Sequence, residues 1–288
     1  ACYSAGLLIS ALQPLYSASP VITNGFGAVA AGDGFTAYLE ANGSLYTTGT
    51  NQSGQLGVEA VPSRSDFGYV ASGVKSLACG SNYVLFVKTD GSLWAMGDNE
   101  YGQLGDGTTT PSFMPKQILA SGVASVSAGS VHSLFVKTDG SLWAMGRNIA
   151  GQLGDGSDID RYSPVMVVAS SVTSTSAGDR HSLYLKTDGS LWGMGVALNG
   201  ALGSGSTDEV VTPIRIIDSD VSSASAGRKH SLFLKTDGSL WSMGYNASGQ
   251  LGDGSAINRN TPFNVATSGV NAISAGGDHS FYVKTDGS

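Results

Sequence analysis

The 288-residue chain is short of charge, of cysteine and of long apolar runs. Asp, Glu, Lys and Arg make up 13% of it, about half of ordinary usage, and acids outnumber bases 22 to 15 for a net charge of −7. A surface of that sign does not neutralise phosphates, which argues against nucleic acid as the main partner. No segment reaches the roughly 18 consecutive apolar residues of a helical membrane span. There is no Gly-Lys-Ser/Thr phosphate loop, no serine elbow and no recurrent acid–base pair, so no catalytic residue, cofactor or metal is assigned and an enzyme is not expected. Histidine and tryptophan are scarce too, four of each. None of them falls outside one strict pattern.

Trp94, Trp143, Trp192 and Trp241 are spaced by 49 residues, and so are His132, His181, His230 and His279. A fixed period near 50 residues marks one supersecondary unit copied in series. Units run over 26–73, 74–122, 123–171, 172–220 and 221–269, with a partial unit over 270–288. The first unit diverges, reading Glu40-Ala-Asn-Gly-Ser-Leu-Tyr46 where later ones read Lys-Thr-Asp-Gly-Ser-Leu-Trp. The chain begins without Met and stops inside that motif at Ser288, so a fragment cut at both ends is expected. Residues 1–15 form a non-repeating apolar segment in which Cys2 follows Ala1, as at the end of a secretion or lipoprotein signal. Residues 15–25 resemble the tail of a preceding unit, Pro20 standing where Pro164, Pro213 and Pro262 stand. The repeat domain is therefore taken as 16–288. Cys79 fills a slot held elsewhere by Ala and is read as a small buried residue.

Unit three shows what each copy folds into. Val123–Ala128 and His132–Lys137 alternate with period two, and Asp139-Gly140 between alternating runs predicts a hairpin with a type I′ turn, returning over Ser141–Gly146. A Gly-rich loop follows, then a fourth strand over Pro164–Val168. Glycine, 41 residues, is about twice its usual share and sits at fixed turn positions. Gly154–Asp160 alternates Asp like a calcium loop but lacks the closing glutamate and spacing, so turn chemistry is preferred. Small Gly-rich sheets of this kind must pack against neighbours.

The elements Gly97-Asp-Asn-Glu-Tyr-Gly-Gln-Leu-Gly-Asp-Gly107, Gly146–Gly156 and Gly244–Gly254, joined by Ala-Gly-x-x-His-Ser at the unit starts, resemble the regulator of chromosome condensation repeat. The resemblance covers about 20–288 and implies an all-β, seven-bladed propeller of four-stranded blades, of which about 5.5–6 are present. In that family's nucleotide-exchange member, His and Asp at this blade position face the partner GTPase. By resemblance, Asp33, His132, Asp179, His181, His230 and His279 become partner-facing candidates.

The residues themselves give the histidines a different role. Equivalent positions of a propeller lie too far apart for the short bonds of a metal site, and Phe35 and Tyr83 occupy the same slot in early units. Structural histidines bonded to backbone are expected. The four tryptophans, alternating with Met96, Met145, Met194 and Met243, are read as structural core between blades.

Binding residues are sought instead where copies disagree, since loops on a rigid frame carry recognition. Between the Gly and His slots stand Ser81-Asn82, Ser130-Val131, Asp179-Arg180, Arg228-Lys229 and Gly277-Asp278; residues beside the Asn slot, such as Glu100-Tyr101 and Ile149-Ala150, vary as well. Unit four loses both the Asn and the Gln of the loop. The expected function is a monomeric scaffold binding an unidentified protein through loops on one face, extracellular or in the cell envelope, with a cytoplasmic location as alternative. The alternative function is guanine-nucleotide exchange on a small GTPase, the resemblance's best-known activity. The acidic balance and the lack of a basic tail stand against it.

Overall fold

A computed structural model describes residues 27–59 and 61–288. The readings on Cys2, the 1–15 stretch and Pro20 fall outside these residues. Unit one supplies β1 (Ala28–Ala31), β2 (Phe35–Leu39), β3 (Leu45–Thr50) and β4 (Ser63–Ala71). Unit two supplies β5 (Val74–Cys79), β6 (Tyr83–Lys88), β7 (Leu93–Gly97) and β8 (Ser112–Leu119), and unit three β9 (Val123–Ala128), β10 (His132–Lys137), β11 (Leu142–Gly146) and β12 (Arg161–Val168). Unit four gives β13 (Val172–Ala177), β14 (His181–Lys186), β15 (Leu191–Gly195) and β16 (Val210–Ile217). Unit five gives β17 (Val221–Ala226), β18 (His230–Lys235), β19 (Leu240–Gly244) and β20 (Arg259–Ala266), and the partial unit β21 (Val270–Ala275) and β22 (Ser280–Lys284). Each complete unit is one four-stranded antiparallel sheet with strands in chain order, and β21–β22 is a two-stranded sixth. First strands of successive units pack on one another around an axis, while fourth strands lie outermost and largely exposed.

Period two explains how blades stack. In unit two, Leu85, Val87, Leu93 and Ala95 face forward and meet Val123, Val126, Phe135 and Met145, which face backward from unit three. The same division recurs at every junction up to the sixth sheet. Burying a Leu or Phe this way stabilises by about 1.5–3 kcal/mol. Cys79 lies in the junction between units one and two, 1% exposed, and burial raises its thiol pKa.

The tryptophans occupy the rim of these junctions and are half-buried, not part of their sealed interior. Trp143 stacks beside Phe135 at 6.2 Å with Lys137 over its face at 4.0 Å, and its Nε1 donates to Ser141 Oγ at 2.9 Å. Each stands near the start of a short third strand, beside the hairpin, where one face of the ring is left to a lysine stem.

The hairpin also differs from the type I′ expectation. Gly140 donates to Lys137 O, Lys137 N donates to Ser141 O, and only Gly140 (φ +79°) has positive φ. The loop is thus three residues, Thr138-Asp139-Gly140, a type I turn closed by a left-handed glycine. Asp139 selects it by accepting from both the amide and the hydroxyl of Ser141 (2.9 and 2.6 Å). The fourth strand starts earlier than its proline because Gly146 pairs with Arg161.

The long loop is stapled from inside. Asn148, fully buried, receives the Leu153 amide on Oδ1 (2.9 Å) and donates through Nδ2 to Asp155 Oδ1 and the carbonyls of Ser157 and Ile159. Asp155 is further held by Arg161 (Nε–Oδ2 2.6 Å); burial pushes its pKa up, and the Ser157 and Arg161 bonds outweigh that and bring it down. Among the described residues no group of carboxylates, His or Cys is arranged to hold a metal. The loops of units two to four then latch onto the next blade: Gly107 N donates to Tyr162 O (2.8 Å), Gly156 N to Val211 O (2.9 Å) and Gly205 N to Asn260 O (2.8 Å). A Cβ at Gly102 would lie 2.6 Å from the Tyr162 Cα of the next blade, so the close approach of loop to blade requires glycine. In unit four Ala197 replaces the stapling Asn and the chain makes a single 3₁₀ turn, Leu198–Gly200, through Asn199 at φ +62°.

Candidate interaction face at the axial mouth

The two ends of the blades differ in kind. At one end lie the Lys-Thr-Asp-Gly-Ser hairpins, the same in every unit from the second onward. At the other lie the Gly-x-x-His turns joining first to second strands, and the ends of the third strands. The registers place them together: His132 pairs with Gly146, and Arg147 N donates to Val131 O at 3.0 Å. Copies disagree here.

Backbone bonds tie these turns into an arc around the axis. Asp33 N donates to Ser81 O (2.7 Å), Ser81 N to Ser130 O (3.3 Å), Ser130 N to Gly178 O (3.2 Å) and Arg228 N to Gly276 O (3.2 Å). These amides and carbonyls hold the turns in place while leaving their side chains free to vary.

Three of the four histidines are sealed between blades. His132, His181 and His230 are at most 1% exposed. Each reaches into the next blade, Nε2 lying 2.9, 2.9 and 2.8 Å from the hydroxyls of Ser182, Ser231 and Ser280. Bonding is therefore to side chains and not, as expected, to backbone. Ser182 spends its one proton on Gln152 O (2.7 Å) and Ser231 on Ala201 O (2.8 Å), so Nε2 of His132 and His181 must carry the donated proton. Burial drives the pKa of His132 and His181 down to about 3 and that of His230 to about 4. Buried this way, they cannot make the GTPase contact carried over by resemblance. His279 is half-buried and packs edge-on against Phe281.

The other candidates do come together at the mouth. Arg180, Arg228, Lys229 and Asp278 are exposed and Asp179 half-buried. Arg228 approaches Asp278 at 3.9 Å, both ends solvated, a pair worth little. Asp33 is half-buried with Oδ1 unpartnered; burial raises its pKa, against the Ser81 hydrogen bond and the charge of Arg228, which reaches it across the mouth. Ser130 is buried and offers no surface.

Two residues the sequence pattern passes over belong to this end. Arg147 lies over the Tyr101 ring of the preceding blade (4.5 Å), and Lys229 over Tyr245 (5.6 Å). Arg147 and Tyr245 share one slot with Asp98 and Val196, so their disagreement was a readable signal. Ile149 and Leu198, 49% and 60% exposed, add apolar surface to the same end.

The family model described as RCC1-like domain matches residues 11–287. Among solved structures, human WBSCR16 is 24% identical with a TM-score of 0.80, covering 88% of this chain and 70% of that one. Prp20p from Saccharomyces cerevisiae, described with its binding properties to Gsp1p and histones, is 22% identical with a TM-score of 0.78, covering 88% of this chain and 67% of that one. Yeast RCC1 (Prp20) bound to Kap60 gives 21% and 0.78, covering 89% and 66%. No curated protein sequence matches the chain.

Proposed function

Because the chain belongs to the RCC1-like domain family, we propose that it is a non-enzymatic propeller that binds another protein through the variable turns at one mouth of its axis. One observation carries this reading: the hairpin end repeats while the mouth end changes from blade to blade on the same backbone frame. A frame that tolerates any side chain at one end only is built to present those side chains. Related propellers described with Gsp1p, histones and Kap60 support protein recognition as the general mode. Exchange on a small GTPase ranks second, since the histidines that would carry it by resemblance are sealed between blades.

The test is capture of partners on immobilised protein, read by mass spectrometry. Ile149→Glu with Leu198→Glu should lower capture at least tenfold, and Thr138→Glu at the hairpin end should not. Equal capture by all three proteins would overturn the face assignment, and enrichment of a nucleotide-free small GTPase would reverse the ranking.

A further inference from the structure

Sorting the basic residues by what they do in the fold leaves a short remainder. Of the 15 Lys and Arg, four lysines (88, 137, 186 and 235) lie over the tryptophans, and Lys284 is the fifth copy of that hairpin position. Lys116, Arg161, Arg215 and Arg259 are paired with Asp106, Asp155, Asp218 and Asp253. Lys75 donates to Val123 O, and Arg64 is folded over Gly68 of its own strand. The four left are Arg147, Arg180, Arg228 and Lys229. Arg147 and Lys229 lie over Tyr101 and Tyr245, rings of the mouth itself, and among the described residues none of the four has an ion pair beyond the loose 3.9 Å approach of Arg228 to Asp278; all four stand at the mouth.

They also share one sector. Units three to five carry these cations with exposed Ile149 and Leu198 between them, whereas units one and two present Asp33, Asp98 and Glu100 at the same end. On a chain of net charge −7 this concentration is not an average property of the surface.

We infer that the arc Arg147–Arg180–Arg228–Lys229 docks an acidic segment of a partner protein, its carboxylates on the guanidinium forks and its apolar residues on Ile149 and Leu198. This rests on the mouth being the binding face. Three of the four cations are arginine, whose planar donors match carboxylates two bonds at a time. A nucleic acid fits less well: its affinity comes from neutralising many phosphates, and here Asp179 and Asp278 interrupt a set of four cations.

Fluorescence anisotropy of a fluorescein-labelled dodecapeptide alternating Glu and Leu tests the inference, with oligo-dT of 12 nucleotides as the competing polyanion. The peptide should bind the full chain, weaken at least tenfold with Arg180→Glu plus Arg228→Glu, weaken between 50 and 200 mM salt, and be unaffected by Thr138→Glu. No peptide binding, equal loss in Thr138→Glu, or tighter binding of the oligonucleotide lost on the same substitutions would overturn it. A captured partner released by Ile149→Glu with Leu198→Glu but retained by the double arginine variant would leave the face standing and overturn only the acidic partner.

Discussion

The junctions between early units and those between late units solve one packing problem with opposite chemistry. The slot that ends the Gly-x-x turn in one blade faces, in the next, the residue after the same slot. Going round the axis, the facing pairs are Phe35 with Val84, Tyr83 with Ser133, His132 with Ser182, His181 with Ser231 and His230 with Ser280. The first pair is wholly apolar, the second joins two hydroxyls at 3.1 Å, and the last three join imidazole to hydroxyl. Innermost strands follow suit. Ser127, Ser176 and Ser225 accept the amides of Ala177, Ala226 and Ala275 in the next blade (2.9 Å each), where units one and two have Ala30 and Ala78. At the Phe, Tyr and His slots both sides change together because a half-made polar pair is the costly state. An apolar pair or a complete polar pair is tolerated, while one unpaired buried group costs about 1–3 kcal/mol.

Acid should separate the two regions most strongly. An unfolded histidine titrates near 6.5, whereas the three buried rings stay neutral down to about 3 or 4. The unfolded chain thus binds more protons between those limits, and stability falls as pH drops from about 6.5 toward 4. From pH 6 to pH 5 each ring removes about 1.2 kcal/mol, roughly 4 kcal/mol for three. Hydrogen exchange across that step should show units three to five losing protection before units one and two. Uniform loss along the chain would break the comparison.

The next largest effect isolates one pair. Ser231→Val strands the buried Nε2–H of His181 and frees Ala201 O, and should cost about 2–3 kcal/mol in a denaturant melt. Adding His181→Phe rebuilds the Phe–Val pair of the first junction and should return the share due to the stranded imidazole N–H, leaving the double variant about 1–2 kcal/mol below the original because Ala201 O still lacks its hydroxyl. Additive losses would mean that the pairs are not coupled.

How much of this was legible follows from where each partner lies. Period, strand positions and the loop glycines could be read because neighbours along the chain decide them. The lists Phe-Tyr-His-His-His and Val-Ser-Ser-Ser-Ser could be read as well, yet nothing local says that Phe35 looks at Val84. That takes the topology, which sets blade against blade with an offset near one period. The same gap explains the rim tryptophans. Alternation places Trp143 on the junction face, but only the length of β11 puts it at the sheet's edge. The turn needed the side chain of Asp139 to choose three loop residues over two. The basic sector of the mouth emerges only once the other cations have been assigned their places in the blades.

Tyr83 is the intermediate case, and it yields the smallest effect. Its hydroxyl donates to His132 O (2.5 Å) and lies 3.1 Å from Ser133 Oγ, whose one proton goes to Gln103 O (2.7 Å), so it makes the late kind of junction with the carbon frame of the early kind. Burial raises its pKa, so no charge enters the interface. Tyr83→Phe removes one hydroxyl from a site where His132 O keeps the Gly129 amide (2.8 Å) and Ser133 keeps Gln103 O (2.7 Å). With both partners still satisfied, the loss should be about 1 kcal/mol, and it should not change with pH between 5 and 7. A cost near 3 kcal/mol would show that this hydroxyl holds the junction by itself. Units two and three would then belong with the late, polar group and not at its border.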